Sequence, residues 1–156
     1  MAAPRTPIHR TKNLTALICT GFCSFVVFVS NLRGGTKPST YHFGATAEQI
    51  IHERPQQQGR IMSVCAGSLI LARLGLLAGK KATTNHDLVG ELEGFTGVEV
   101  VRDVLYTCDG AIHTSAGISR GIDLALHLVA LEAGPALAAQ VARMMVTTGA
   151  TTFCKS

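Results

Sequence analysis

The sequence is short of charge. Only 15% of its 156 residues are Asp, Glu, Lys or Arg, whereas 47% are hydrophobic. A chain of this composition can bury a core, so the sequence excludes an intrinsically disordered protein. The net charge of +4 forms no binding stripe, because Arg5, Arg10 and Lys12 lie near the N-terminus and the other cations are scattered. Direct nucleic-acid binding is therefore not expected.

The spacings typical of metal sites are also missing. No C-x2-C pair or nearby pair of histidines indicates a zinc site, and the odd cysteine count of five argues against a disulfide framework. We expect no metal, no cofactor, and reduced thiols in a cytoplasmic protein. The cysteines are Cys19, Cys23, Cys65, Cys108 and Cys154.

The length suits a single domain. Residues 1–13 are polar, basic and contain proline, so we assign them to a loose tail. Residues 14–147 form the predicted domain, and residues 148–156 form a second tail.

An apolar run over residues 14–30 has three interpretations. One or two buried strands are favoured by the β propensity of residues 25–29. A signal peptide is the second interpretation, although its small-residue cleavage site is poorly met. A membrane span is the third, and 17 residues are marginal for it. We favour the strands and expect no membrane association.

The most informative stretch, residues 60–79, predicts a strand, a sharp turn and a helix, with Cys65 at the turn. Ser63-Val64-Cys65-Ala66-Gly67 parallels the G-x-S-x-G nucleophile elbow, with Cys in place of Ser. The helix dipole favours a thiolate there, so we expect a lowered pKa for the Cys65 thiol. The alternative is a buried cysteine that closes a core strand. Apolar spacing extends the helix to Gly79, which would supply its C-terminal cap.

The second half of the sequence predicts short strands followed by two helices. Residues 80–84, 98–101 and 104–108 indicate strands, and Asp109-Gly110 predicts a hairpin into residues 111–114. Alternation along that last strand predicts that His113 is exposed or supports the site from behind. Helices are predicted over residues 118–133 and, after Gly134-Pro135, to about residue 146.

Three segments occur in the order and spacing of a known family: SVCAG, GLLAGKKATT and TSAGISRGIDLAL. Because of these three segments, residues 46–146 resemble the ThiJ/PfpI group of the class I glutamine amidotransferase-like superfamily. Within that group the pattern is most similar to the sensor-like N-terminal domain of AraC-type transcriptional regulators of the GlxA kind. The resemblance implies a flavodoxin-like α/β fold, a three-layer sandwich around a mostly parallel sheet, with Cys65 at the carboxyl edge of that sheet.

The resemblance also implies a set of pocket residues. Residues 31–35 resemble a family strand that ends in a glycine pair, so the amides of Gly34, Gly35 and Ala66 would hold a substrate oxyanion. The alternative is an ordinary Gly-Gly turn. The hydroxyls of Thr114 and Ser115 would line the same pocket, or Ser115 or Ser119 would only cap the next helix.

The histidine expected near the thiol departs from the family pattern. Many relatives carry His directly after Thr-Thr, whereas here Asn85 occupies that place and His86 comes one residue later. A one-residue displacement on an extended segment turns a side chain to the opposite face. His86 is therefore either a base for Cys65 or a surface histidine. Asn85 either orients a substrate or caps the following helix.

Other family features are missing. Relatives begin with a strand, a helix and a strand, and enzymatic members place there an acidic residue that hydrogen-bonds the elbow thiol. Here no Asp or Glu precedes Glu48. We therefore expect the N-terminal strands to be partly missing. The sequence also lacks the helix-turn-helix part of the AraC-type relatives. We therefore expect a truncated copy of the family's domain. An incomplete sheet exposes an edge or an apolar face, which favours a homodimer.

Two functions follow as hypotheses. The first is a small-molecule-sensing or regulatory domain, derived from an AraC-type regulator and without the DNA-binding part. The second is a cysteine-dependent hydrolase, hydratase or amidotransferase-like enzyme that acts on a small carbon–nitrogen or carbonyl substrate through Cys65. The expected location is cytoplasmic, and secretion is the alternative if residues 1–30 are a signal peptide.

Overall fold

The structure is a computed structural model that describes residues 17–18, 24–28, 49, 51–53 and 60–147. The two predicted tails and the Gly34-Gly35 pair lie outside these residues. The strands are β1 (Leu17–Ile18), β2 (Ser24–Phe28), β3 (Arg60–Val64), β4 (Lys81–Ala82), β5 (Glu99–Val100), β6 (Tyr106–Asp109) and β7 (Ile112–Ser115). The helices are α1 (Gly67–Arg73), a 3-10 helix (His86–Leu88), α2 (Val89–Glu93), α3 (Ile118–Ala133) and α4 (Pro135–Met144). Residues 51–53 are also helical.

The main sheet has the strand order β1-β2-β3-β7-β6. The central pairs β2/β3 and β3/β7 are parallel, and the two outer pairs are antiparallel. A second sheet pairs β4 with β5 in parallel. Parallel pairing thus prevails, as predicted. The first two strands lie within the apolar run 14–30, so its interpretation as strand is confirmed for the residues described.

The sheet is covered on both faces, which gives the predicted three layers. Ile61 of β3 and Ile112 of β7 pack in an aliphatic cluster with Leu69 and Leu71 of α1 and Leu92 of α2. Because side chains alternate along a strand, the neighbouring positions point the other way. On this opposite face, Met62 and Val64 pack with Tyr106 and with Leu124 and Leu128 of α3.

The approach of α3 to β3 depends on a glycine. A Cβ atom added to Gly121 would lie 2.9 Å from Cγ2 of Val64. Real Cβ atoms do not come that close, so only glycine permits this helix–strand distance. Val64 directly precedes Cys65, and the contact therefore places the start of α3 beside the turn.

Two predicted elements differ from the structure. The helix after Cys65 ends at Arg73, not at Gly79, and Gly75 with φ of +75° follows its end. The strand predicted over residues 80–84 is shorter and pairs with β5, not with the main sheet. Side chains link it to the main sheet instead, because the Lys81 amide donates to Asp109 Oδ2 at 2.9 Å.

Of the two predictions for His113, the exposed position is wrong. Only 3% of His113 is exposed, because β7 lies between β3 and β6 and its face is covered by the α3 side of the core. Neither ring nitrogen has a hydrogen-bond partner among the described residues. Burial, and then the charges of Arg60 and His127, lower the pKa of His113 to about 4. The imidazole is therefore neutral at physiological pH.

Candidate functional site

Cys65 lies at a sharp junction between β3 and α1. Its φ of +55° is in the left-handed region, which non-glycine residues rarely adopt. Ala66 is 1% exposed and Gly67 begins α1, so small residues follow the bend closely. The predicted strand, turn and helix are thus present, with a strained backbone at the cysteine. Strain of this kind is common at functional sites.

Two hydroxyl groups hold the carbonyl group of Cys65. Thr84 Oγ1 donates to this oxygen at 2.9 Å, and Ser68 Oγ donates to it at 3.2 Å. The Cys65 amide donates to the Ser115 carbonyl oxygen at 3.0 Å. The bend is therefore fixed from α1, from the segment after β4 and from the end of β7.

The thiol of Cys65 is half-buried and free. Burial raises its pKa, while hydrogen bonds from the Ala66 amide and the Asn85 side chain act in the opposite direction, and the negative charge of Asp87 adds to the rise. The expectation of a lowered pKa is thus wrong. Helix α1 has only seven residues, and its dipole does not outweigh the loss of solvation.

Asn85 and His86 have different surroundings. The Asn85 side chain bonds the thiol and also accepts a hydrogen bond from the Asp87 amide at 3.0 Å, which caps the 3-10 helix. The His86 side chain is 87% exposed, and its Nε2 lies 3.2 Å from Asp87 Oδ1. Among the described residues no hydrogen bond joins His86 to Cys65. The family position after Thr-Thr, and not the histidine, contacts the sulfur.

Thr114 and Ser115 are used within the fold. Thr114 Oγ1 accepts from the Thr83 amide at 2.7 Å and lies 2.8 Å from Thr107 Oγ1. Ser115 Oγ donates to the Ser63 carbonyl oxygen at 3.3 Å. Both residues are fully buried. They connect β7 to its neighbours, and the cavity described next does not include them among its lining residues.

A cavity of about 330 Å³ lies beside the bend. Its lining comes from residues 83–86 and 102–104, together with Val89, Ala116, Gly117 and Arg120. Thr84 and Asn85 contact Cys65 on one side and line the cavity on the other. The cavity is therefore adjacent to the cysteine, with these two residues between them.

Sequence reasoning identified Asn85 and His86 of this lining and missed its cations. Arg102 and Asp103 follow β5 in a short connection, and Arg120 lies in the first turn of α3. A partial signal was available, because residues 116–120 belong to the segment TSAGISRG that carried the family resemblance. The connection 102–104 had no such signal.

Cys108, the other cysteine in the described part of the chain, is disulfide-bonded, so the expectation of reduced thiols is wrong for it. In the same part of the chain no group of three or more His, Cys, Asp or Glu side chains is arranged to hold a metal ion. None of the described helices has the length and hydropathy that a membrane crossing requires.

Comparison with known proteins relates the chain to one family. The model of the DJ-1/PfpI family matches residues 25–131. Isonitrile hydratase from Pseudomonas putida is 43% identical over 82 residues, which are 51% of this chain and 34% of that protein. The HTH-type transcriptional regulator CdhR from Pseudomonas aeruginosa is 40% identical over 81 residues, 51% of this chain and 24% of that protein.

A solved structure supports the same relationship. A ThiJ/PfpI family protein from Pseudomonas syringae superposes with a TM-score of 0.65 at 28% identity, covering 82% of this chain and 51% of the other. The chain spans about a third or less of the two curated relatives named above. From the matched residues and the fold together, we conclude that this chain belongs to the DJ-1/PfpI family, with an HTH-type transcriptional regulator and isonitrile hydratase among its relatives.

Proposed function

We propose that the domain senses a small molecule and acts as a regulatory module without activity of its own. The observation that carries this proposal is the cavity of about 330 Å³ beside the bend at Cys65, whose half-buried thiol has a raised pKa. A thiol with a raised pKa is protonated at neutral pH, and a protonated thiol is a poor nucleophile. The exposed His86, which pairs with Asp87, is not placed to remove the proton.

The cavity beside Cys65 supplies the binding volume for this function. Pockets for small molecules begin at roughly 300 Å³, so about 330 Å³ suits a compact ligand. The relationship to HTH-type regulators supports a sensing role over a purely structural one. In this proposal Asn85 orients the thiol and caps the 3-10 helix, and it transfers no proton.

The test is the pH dependence of Cys65 alkylation by iodoacetamide, followed on the Cys65 peptide by mass spectrometry. We expect a midpoint above about 8.5, the pKa of an ordinary thiol. Asn85→Ala should raise the midpoint further, because the Asn85 bond favours the thiolate. His86→Ala is the matched control and should leave it unchanged. A midpoint near pH 7 or below would overturn the sensing proposal.

A cysteine-dependent enzyme is the second candidate. It is favoured by the φ of +55° at Cys65 and by the 43% identity to isonitrile hydratase over 82 residues. In this mechanism Cys65 attacks a small carbon–nitrogen substrate, and the amides of Gly34, Gly35 and Ala66 hold the developing anion. His86 would have to leave Asp87 and turn toward the sulfur to accept the proton. Turnover of a simple isonitrile that disappears in Cys65→Ser would establish this function and exclude the first.

We further infer a homodimer that does not bind nucleic acid directly. The apolar side chains of Ile118, Leu131 and Leu137 are 56%, 53% and 42% exposed on α3 and α4, and apolar surface of this kind is often covered by a partner. Light scattering at two protein concentrations gives the oligomeric state. Location in the cytoplasm and secretion after cleavage both stay predictions, which N-terminal sequencing of the mature protein separates.

A further inference from the structure

The charges around the cavity point to the class of its ligand. Arg102 and Arg120 line it from two segments that are distant in sequence, and Asp103 is the carboxylate among the lining residues. The formal charges of the lining Arg102, Arg120 and Asp103 side chains sum to +1. A cavity with this balance attracts an anion of low charge.

Both guanidinium groups keep hydrogen-bond donors for a ligand. Arg120 Nη1 donates to Asp123 Oδ2 at 3.3 Å, and Arg102 donates through Nε and Nη2 to Glu93 Oε1. A guanidinium group has five N–H donors, so each of these pairs uses only part of the set. The side chains of Arg102 and Arg120 are 60% and 47% exposed, which leaves the remaining donors accessible.

Helix α3 adds positive potential at the same place. It has 16 residues, no acidic residue in its first turn and no side-chain cap. Its N-cap residue Gly117 and its third residue Arg120 both line the cavity. The unpaired amides at such a helix end favour an anion, and here they reinforce two arginines at a formed cavity.

Asp103 and the apolar lining restrict the ligand further. The carboxylate of Asp103 makes no ion pair within the described residues, and it repels a second negative charge on a ligand. Val89 and Val104 supply apolar surface beside the charged groups. These contacts favour one carboxylate on a short aliphatic body over phosphate or a dicarboxylate.

We propose that this cavity binds a small aliphatic monocarboxylate. Its carboxylate lies between Arg102, Arg120 and the first amides of α3, and its body lies against Val89 and Val104. The inference rests on the proposed sensing function and names the ligand class of that site.

The experiment titrates the full chain with sodium isobutyrate and, separately, with isobutyramide, at constant ionic strength, by ¹H–¹⁵N NMR. Isobutyramide has the same shape without the charge. We expect isobutyrate to shift the amide signals of Gly117 and Ile118 and to bind at least about 10-fold more tightly than isobutyramide, since charge-assisted hydrogen bonds contribute more than neutral ones. Inorganic phosphate should bind more weakly than isobutyrate.

Variants sharpen this result. Arg102→Gln should weaken isobutyrate binding about 10-fold and leave isobutyramide binding unchanged. The Arg102–Glu93 pair is exposed and contributes little to stability, so the variant should fold. Arg120→Gln should have the same effect. The exposed Arg143→Gln on α4 changes the same charge away from the cavity and is the matched control. Asp103→Asn should strengthen phosphate binding.

Equal binding of isobutyrate and isobutyramide would overturn the inference and leave the sensing proposal in place. The inference would also be overturned if Arg143→Gln weakened isobutyrate binding as much as Arg102→Gln does. The protein would then attract isobutyrate through its overall charge and not through the cavity. Absence of binding at about 10 mM of either probe overturns the ligand class. The alkylation midpoint of Cys65 decides the sensing proposal independently.

Discussion

The two faces of the central sheet are covered in different ways. On one face α1 and α2 close an aliphatic cluster that includes Leu69, Leu71 and Leu92. On the other face α3 covers Met62 and Val64, but that side also holds polar and ionisable residues. His113 and Asp123 are 3% and 7% exposed there.

The two faces therefore differ in how they affect the free energy of unfolding and its dependence on pH. Burial of apolar side chains stabilises the fold at every pH, so both clusters contribute to the basal free energy of unfolding, and the larger of the two lies on the α1 face. Groups whose pKa differs between the folded and unfolded states make that free energy depend on pH. The α3 face contains such a group in His113, and it also forms one wall of the cavity.

The largest effect is expected on the α1 face. Leu69→Ala removes a fully buried side chain and should lower the free energy of unfolding by about 2–5 kcal/mol. Met144→Ala on α4, where the side chain is 77% exposed, should change it by less than about 0.5 kcal/mol. Urea denaturation measures both. Similar values for the two variants would contradict the role assigned to the α1 face.

His113→Leu tests the pH response of the α3 face. The folded pKa of about 4 lies below the ordinary value of 6.5, so the unfolded chain binds a proton that the folded chain does not. This contribution is complete above pH 6.5 and is lost as the pH falls to 4. At about 1.4 kcal/mol per pKa unit, up to about 3 kcal/mol depends on it.

The expected outcome is a flatter pH dependence of unfolding for His113→Leu between pH 6.5 and 4, with no loss at pH 7. No loss is expected because the substitution removes a buried ring that has no hydrogen bond to any residue the structure describes. The exposed His52→Gln is the control and should follow the native curve. A His113→Leu curve parallel to the native one would mean that this histidine does not set the acid response.

Substitutions of two glycines, Gly121 and Gly90, give the smallest expected effects, and the two effects should have opposite signs. Gly121→Ala would place a Cβ 2.9 Å from Val64 Cγ2 and should destabilise the protein by about 1–3 kcal/mol. Gly90→Ala in α2 meets no atom within 4 Å and should stabilise it by up to about 1 kcal/mol. Thermal unfolding measures the two shifts, and shifts of the same sign would contradict the close approach of α3 to β3.

Most of the main elements could be predicted from local pattern. The apolar run before Cys65, the Asp109-Gly110 turn and the helical periodicity of residues 118–133 each lie within a short window, and the structure confirms them. The end of α1 was missed because the apolar spacing continues to Leu77, which is fully buried although it lies beyond the helix. Periodicity identified its burial but not its conformation.

The candidate site was predictable only at its centre. The small residues around Cys65 indicated the bend, and the family pattern indicated the importance of the position after Thr-Thr. The direction of the Asn85 side chain, and the pairing of His86 with Asp87, depend on the local path of the chain after β4. The arginines of the cavity come from separate connections, so no single motif contained them.

By itself, the sequence determined where the chain bends and which segments form helices and strands, because those choices depend on neighbouring residues. The tertiary structure alone decided that His113 is buried with no hydrogen-bond partner in the described part of the chain, that the Cys65 thiol has a raised pKa, and that Arg102 and Arg120 line the same cavity. Desolvation and charge proximity arise from residues brought together in space, and they therefore appear only once the layers have packed.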